Sequence, residues 1–197
     1  MCTIFTIGHS NLDPEHFLAL LTAHRIAAII DVRSNPFSRF VPHFAMKNLQ
    51  SWLEKANVEY IFMGNELGAR RDEESCYIDG QARYDRIASL PIFQQGLQGV
   101  LDVAQHRNSA LMCAEADPLS CHRTILVCRE LLRQRPELQI AHVLANATSE
   151  SHSDAMRRLV ALHKLEPDLF EDQSSATSLI ERAQDLQAAR IAYSRQK

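Results

Sequence analysis

Short apolar runs alternate with amphipathic stretches along the chain, and this alternation predicts the order of strands and helices. Short runs rich in β-branched and other apolar residues predict five strands, at 4–7, 27–32, 58–63, 109–113 and 138–144. Apolar residues at helical spacing predict helices that begin at Asp13-Pro14 and that cover 46–56, 91–106, 117–133 and 154–165. The alternation predicts an α/β fold of three layers, with a mainly parallel five-stranded sheet and helices on both faces.

The C-terminal part of the chain has a different pattern. Residues 1–166 carry the alternation, and their number suits one α/β domain. Residues 167–178 are acidic and rich in serine, which indicates a linker, and apolar spacing beyond them predicts one more helix. We therefore divide the chain into a domain at 1–166 and a linker with a C-terminal helix at 167–197.

Composition narrows the possible functions. The chain has 21 Lys and Arg against 24 Asp and Glu, a net charge of −3, so there is no overall basic field to hold nucleic acid nonspecifically. No apolar run approaches the roughly 20 residues that a membrane span needs, and no basic segment precedes the first apolar run as in an export signal. The five cysteines are an odd number, which favours reduced thiols, and we expect a cytoplasmic protein without membrane contact.

Side chains suited to catalysis follow the predicted strands directly. Because the carboxyl ends of parallel strands lie along one edge of a sheet, where ligands bind, we expect these side chains to line one crevice. The candidate catalytic residues are His9, Asp31, Cys113 and Glu115, and the candidate substrate-binding residues are Ser10, Asn11, Arg33, Arg39, Arg70, Cys121, His122 and Arg123.

Three of these strand ends carry motifs that resemble one family. The motifs are Thr6-Ile-Gly-His-Ser-Asn11, Asp31-Val-Arg-Ser-Asn-Pro-Phe-Ser-Arg39 and Leu111-Met-Cys-Ala-Glu-Ala-Asp-Pro-Leu-Ser-Cys-His-Arg123, and they resemble the bacterial domain-of-unknown-function family 488. The resemblance covers about residues 3–155, and His142 and His152 are similar to its closing His-containing stretch. One difference is Ala69, which stands where the family commonly has the second glycine of Leu-Gly-Gly-Arg. The resemblance supports the fold and the site and does not define a reaction.

Cys113 is the candidate nucleophile, because a thiol at a strand end near a helix N-terminus and arginines has a lowered pKa. His9 or Glu115 would transfer the proton, and Asp31 completes the candidate catalytic set. The helix predicted after Asp117 and the arginines of the set suit a phosphate or carboxylate, although Arg33 could instead neutralise a buried Asp31. A tyrosine-phosphatase loop needs Arg six residues after Cys, where this chain has Leu119, so a phosphatase proper is disfavoured.

The function that we expect is a small enzyme, a thiol-dependent hydrolase or transferase, that acts on an anionic substrate of phosphate- or nucleotide-like chemistry. One alternative is a metal-dependent hydrolase; no cofactor is predicted, but the Cys and His side chains could bind zinc or iron. These are Cys113, Cys121, His122, His9, His142 and His152. Packing is the simpler role for Cys121 and Cys128, which share a helical stripe.

A noncatalytic module that binds a nucleotide or nucleic acid is the second alternative. Two long loops interleave aromatic and basic side chains, which could stack bases and hold phosphates, although the aromatics could equally anchor the loops to the core. These side chains are Phe37, Phe40, Phe44, Tyr77 and Tyr84, among Arg39, Arg70, Arg71, Arg83 and Arg86. The oligomeric state is left open.

Overall fold

The computed structural model describes residues 3–166 and 175–195. Within them, six strands form the main sheet in the order β3-β2-β6-β1-β7-β8. Their bounds are β1 Thr3–Gly8, β2 Ala28–Asp31, β3 Glu59–Phe62, β6 Ser109–Cys113, β7 Gln139–Val143 and β8 Ser149–Ser151, with a separate hairpin of β4 Tyr77–Ile78 and β5 Gln81–Ala82. All neighbouring pairs are parallel except β7 with β8. The predicted α/β architecture with a mainly parallel sheet is confirmed.

Helices lie on both faces of this sheet. Their bounds are α1 Pro14–Ala23, α2 Met46–Lys55, α3 Gly64–Leu67, α4 Tyr84–Ala88, α5 Pro91–His106, α6 Arg129–Gln134, α7 His152–Leu162 and α8 Ser175–Ile191. One buried cluster joins α1 and α2 to one face through residues such as Phe17 and Leu49. A larger cluster joins α5, α6, α7 and α8 to the other face through residues such as Leu97 and Leu131. None of the described helices is long and apolar enough to cross a membrane.

The prediction of five strands was one short, because β8 was missed. A turn that closes with a hydrogen bond from Leu144 N to Thr148 O returns the chain antiparallel to β7. The segment 64–90, expected to be loop, contains α3, α4 and the β4–β5 hairpin. Elements of two to five residues carry too few apolar repeats for a periodic pattern to detect.

The single helix predicted at 117–133 is also wrong in detail. Asp117 does act as an N-cap, since its side chain accepts a hydrogen bond from Leu119 N, but it caps only a 3-10 turn at Pro118–Ser120. Cys121 is extended, with φ −131° and ψ 140°, and interrupts the helical conformation. A π-helical segment, Arg123–Cys128, then leads into α6, and all six of its residues are buried.

The C-terminal helix packs against the domain. In α8, Gln187 makes two hydrogen bonds to the rest of the protein. Its Oε1 accepts from His163 Nε2 at 2.9 Å, and its Nε2 donates to the carbonyl oxygen of Leu119 at 2.7 Å. Beyond the helix, Ser194 forms a β-bridge with Gln81. The predicted linker lies mostly outside the described residues, and its last part, from Ser175, belongs to α8.

Candidate functional site

A cavity of about 380 Å³ opens at the carboxyl ends of β1, β2 and β6, which are neighbours in the sheet. We call it the strand-end cavity. The residues lining it are His9, Ser10, Arg33, Ser34, Asn35, Phe37, Ser38, Val41, Arg70, Cys113, Ala114, Glu115 and His122. Segments distant in the chain therefore meet at one edge of the sheet.

The twelve candidate site residues divide into three groups. Those that line the cavity are His9, Ser10, Arg33, Arg70, Cys113, Glu115 and His122. Asp31, Cys121 and Arg123 are buried and do not line it. Asn11 and Arg39 are exposed and lie outside its lining.

Gly8 allows the end of β1 to approach the chain after β6. A Cβ at this position would lie 1.8 Å from the carbonyl oxygen of Glu115. The close contact is held by hydrogen bonds from His9 N to Cys113 O at 2.9 Å and from Ser10 N to Ala114 O at 2.8 Å. Ser10 itself has φ +46°, an uncommon conformation for a non-glycine residue, and such strain is often found at functional sites.

His9 is held in the cavity wall by both of its ring nitrogens. Nδ1 lies 2.9 Å from the carbonyl oxygen of Ser10 and therefore donates to it, while Nε2 accepts from Arg33 Nη1 at 3.0 Å. The ring also stacks on Phe44, with centroids 4.3 Å apart. Burial and the charge of Arg33 lower the pKa of His9 to about 4. A neutral ring with both nitrogens engaged is a positioning group rather than a free base.

The positive charge of Arg33 is neutralised by Asp31, as one of the two sequence interpretations expected. Nε and Nη2 of Arg33 donate to the two carboxylate oxygens at 2.9 and 2.6 Å, and Tyr60 OH donates to the same carboxylate at 2.8 Å. Burial and the charge of Asp31 raise the pKa of Tyr60. Nη2 also donates to Phe44 O at 2.9 Å, so Arg33 adds one uncommitted N–H, on Nη1, and little net charge to the cavity.

Arg70 is the cavity arginine whose charge is available to a ligand. It is exposed, and it makes no ion pair within the part of the chain that the structure describes. Its backbone N donates to Ser34 Oγ at 2.9 Å, and its guanidinium lies 4.7 Å from the ring centroid of Tyr193. The neighbouring Ala69 has no positive φ, and its side chain packs in the core, so the alanine fits this loop without strain.

Cys113, Cys121 and His122 form a compact cluster at the floor of the cavity. His122 Nδ1 lies 3.6 Å from the Sγ atom of Cys113 and 4.0 Å from that of Cys121. The opposite nitrogen, Nε2, donates to the carbonyl oxygen of Val32 at 3.0 Å, which fixes the ring orientation. The cluster thus joins two thiols to one imidazole.

The two thiols have opposite pKa shifts, and the lowered pKa expected for Cys113 is wrong. The hydrogen bond that Cys113 donates to Cys121, together with burial, raises the pKa of Cys113. Burial opposes ionisation of Cys121, but that hydrogen bond and the charge of Arg123 lower its pKa. Burial also opposes protonation of His122, yet its hydrogen bond with Cys121 raises its pKa. Partial burial of the carboxyl and the charge of Cys121 raise the pKa of Glu115, although the residue as a whole is exposed.

Arg123 lies beneath the cluster and is completely buried. Its Nη1 donates to the carbonyl oxygen of Glu115 at 2.7 Å, and its Nη2 to that of Ala116 at 3.2 Å. Nε contacts Thr6 Oγ1 at 3.4 Å, and the backbone N contacts Cys121 Sγ at 3.5 Å. Arg123 therefore supports the 115–116 loop and contacts Cys121 from below, without lining the cavity.

The Cys and His side chains named as possible metal ligands do not all lie together. His142 and His152 lie apart from the cysteines, in a chain of hydrogen bonds from Thr6 Oγ1 to His142 at 2.8 Å and from His142 to His152 at 3.2 Å. Within the described residues, one group of three metal-binding side chains is present: Cys113, Cys121 and His122. Of the loop aromatics, Phe44, Tyr77 and Tyr84 are buried anchors, whereas Phe37 is 65% and Phe40 95% exposed.

Sequence reasoning missed two features of the site. It treated His122 as a substrate-binding residue, although the ring contacts Cys113; the adjacency of Cys121 and His122 was the available signal. It also missed Tyr193, which reaches Arg70 from the C-terminal segment and which no sequence pattern indicates.

Comparison with known proteins identifies the family. The family model described as "Domain of unknown function DUF488" matches residues 13–129, more than half of the chain, and the chain belongs to this family. The match includes the Cys113–His122 cluster and Arg33, while His9 and Ser10 precede it. No curated protein and no solved structure matches the chain.

Proposed function

We propose that this member of the DUF488 family is an enzyme that acts on a small anionic substrate in the strand-end cavity, with Cys113 as its nucleophile. The observation that carries the proposal is the contact of 3.6 Å between Cys113 Sγ and His122 Nδ1 at the cavity floor. A nucleophile beside a base that a third group orients is the arrangement of covalent catalysis, and here the carbonyl oxygen of Val32 orients the base.

His122 is the group that takes the proton of Cys113. The S–H of Cys113 donates to Cys121 and would turn to His122 Nδ1, 3.6 Å from its Sγ atom, before the transfer. Because Nε2–H is held by Val32, the neutral ring presents the lone pair of Nδ1 to the thiol. His9, the earlier candidate, has both nitrogens engaged, and Glu115 at the rim is left as the candidate to protonate a leaving group.

Three cavity residues favour a phosphate- or nucleotide-like substrate. Arg70 supplies a charge that no described carboxylate neutralises, and Arg33 supplies a guanidinium edge. Phe37, largely exposed in the lining, offers a surface on which a planar base could stack. The four buried free thiols suit a reducing compartment such as the cytoplasm.

Alkylation of Cys113 by iodoacetamide at neutral pH, followed by peptide mass spectrometry, tests the proposal. Cys128 is the internal reference, since burial raises its pKa to about 12 and it lies away from the cavity. We expect Cys113 to react faster than Cys128, His122→Gln to slow that reaction, and phosphate or a nucleoside monophosphate to protect Cys113. Arg70→Met should abolish the protection without changing the unprotected rate.

Two results separate the remaining functions. Alkylation of Cys113 no faster than that of Cys128, without protection by any anion, would overturn the proposal. Protection by nucleotides together with no turnover in a screen of phosphate esters and nucleotides would favour a noncatalytic nucleotide-binding module instead.

A further inference from the structure

The floor of the strand-end cavity has the geometry of a metal-binding tripod. The distances from His122 Nδ1 to the two Sγ atoms are 3.6 and 4.0 Å, and the three donor atoms lie within 4.8 Å of one another. In a tetrahedral zinc site, with Zn–S of about 2.3 Å and Zn–N of about 2.0–2.1 Å, a sulfur and a nitrogen ligand lie about 3.6 Å apart. The histidine and the two thiols already stand close to this separation.

The hydrogen bond behind His122 is the one that metal-ligating histidines usually make. A carbonyl oxygen can only accept, so the contact of 3.0 Å between Nε2 and Val32 O puts a proton on Nε2. The Nδ1 lone pair of the neutral ring then points toward both sulfurs. Donation of the second ring N–H to a backbone carbonyl is the common outer-shell arrangement that fixes a histidine ligand's tautomer.

The charges around the cluster suit a divalent cation. The two thiolates of a metal-bound state would carry two negative charges, which one divalent ion balances. Arg123, buried beneath them, donates to backbone carbonyls and has no carboxylate partner among the described residues.

We propose that Cys113, Cys121 and His122 bind one zinc(II) ion, with the fourth coordination position open to the strand-end cavity. Thiolate and imidazole ligands select zinc over magnesium or calcium. Cys113 and His122 line the cavity whereas Cys121 lies beneath it, so the ion borders the cavity. Three protein ligands with one open position are typical of catalytic zinc.

Zinc at this position deepens the proposed function. With zinc bound, Nδ1 of His122 would be a ligand and the ion would replace it in ionising Cys113, because a metal-bound thiol is deprotonated and metal coordination is a recognised way to activate a nucleophile. This catalytic consequence rests on the proposed function, whereas metal binding itself can be measured without a substrate.

Titration of the full chain with zinc and with cobalt(II) tests the metal site. The protein is first stripped with a chelator under a reductant that is not a thiol, and bound metal is then counted by elemental mass spectrometry after desalting. We expect one equivalent of zinc, and with cobalt an absorption band of thiolate-to-metal charge transfer. Cys113→Ser, Cys121→Ser and His122→Ala should each weaken binding more than the roughly 100-fold that loss of an outer-shell partner costs.

The matched control is Cys128→Ser, which removes a buried thiol of the neighbouring π-helical segment and should keep one equivalent of zinc. Wild-type protein that retains no zinc at equimolar metal and shows no charge-transfer band overturns the site, whatever the variants do. Unchanged binding in all three ligand variants overturns it too. If anions protect Cys113 of the metal-free protein from alkylation but zinc does not bind, the metal site is refuted and the proposed function stands. If zinc binds but no anion protects Cys113, the metal site stands and the proposed function is refuted.

Discussion

Arg33 and Arg70 both line the cavity, yet replacing them should affect different properties: stability for Arg33 and anion binding for Arg70. In Arg33→Met, the buried carboxylate of Asp31 loses donors at 2.9 and 2.6 Å and keeps only Tyr60 OH and the backbone N–H of residue 33. Removing one partner of a buried ion pair costs about 3–5 kcal/mol, because the other charge is left uncompensated. We expect Arg33→Met to lower the free energy of unfolding by that amount.

Arg70→Met is the matched control. Arg70 is exposed, and its described side-chain contact is with the ring of Tyr193, a cation–π interaction of the kind worth about 0.5–1 kcal/mol at exposed sites. We therefore expect at most about 1 kcal/mol of destabilisation. Its effect should appear instead as loss of the protection that anions give to Cys113.

Urea unfolding followed by circular dichroism measures both free energies, and the alkylation assay measures anion binding. The double variant Asp31→Asn/Arg33→Met should recover part of the stability lost in Arg33→Met, since it leaves no buried charge. Two results would refute these different roles. One is an Arg33→Met protein whose free energy of unfolding lies within about 1 kcal/mol of wild type. The other is an Arg70→Met protein that is destabilised as much as Arg33→Met.

Three further perturbations test the surrounding structure by urea unfolding. Gly8→Ala places a Cβ 1.8 Å from Glu115 O; we expect a loss of about 1–3 kcal/mol, and no loss would contradict the close approach. Burial lowers the pKa of His142 to about 3 and of His152 to about 4. Because both values lie below the pKa of about 6.5 for an unfolded histidine, the unfolded chain binds protons first as pH falls. The free energy of unfolding is therefore highest above about pH 6.5 and decreases at lower pH. We expect about 2 kcal/mol per histidine to be lost between about pH 7 and 5, and a flatter profile in His142→Gln/His152→Gln. Ser151→Ala removes the N-cap of α7 and should cost about 1 kcal/mol; an unchanged midpoint would exclude that cap.

The sheet and the position of the site could be predicted because both depend on long-range regularities of the chain. Runs such as 109–113 are buried at every residue, and a parallel sheet follows from their alternation with helices. Parallel strands then bring the residues after β1, β2 and β6 to the same edge. This argument needs no knowledge of strand order, which is why it brought His9, Arg33 and Cys113 together correctly.

The roles of the arginines could not be predicted because charge alone does not show which groups neutralise it. Arg33, Arg39, Arg70 and Arg123 are equivalent in sequence terms, since each follows a strand end. The structure pairs Arg33 with Asp31 and leaves Arg39 outside the cavity. It buries Arg123, whose guanidinium donates to backbone carbonyls. Of the two arginines that line the cavity, Arg70 is the one without an ion pair among the described residues.

The contact of His122 with both cysteines could not be predicted for a related reason. Cys113 and Cys121 are separated by seven residues, which matches no recognised metal-binding pattern, and a continuous helix from Asp117 would carry Cys121 away from the strand end. Instead the cap by Asp117 supports a 3-10 turn of only three residues, and the extended backbone of Cys121 returns the chain toward β6. His122 follows at once and faces Cys113. The cluster thus depends on where a helix stops, and periodicity of apolar residues does not report that position.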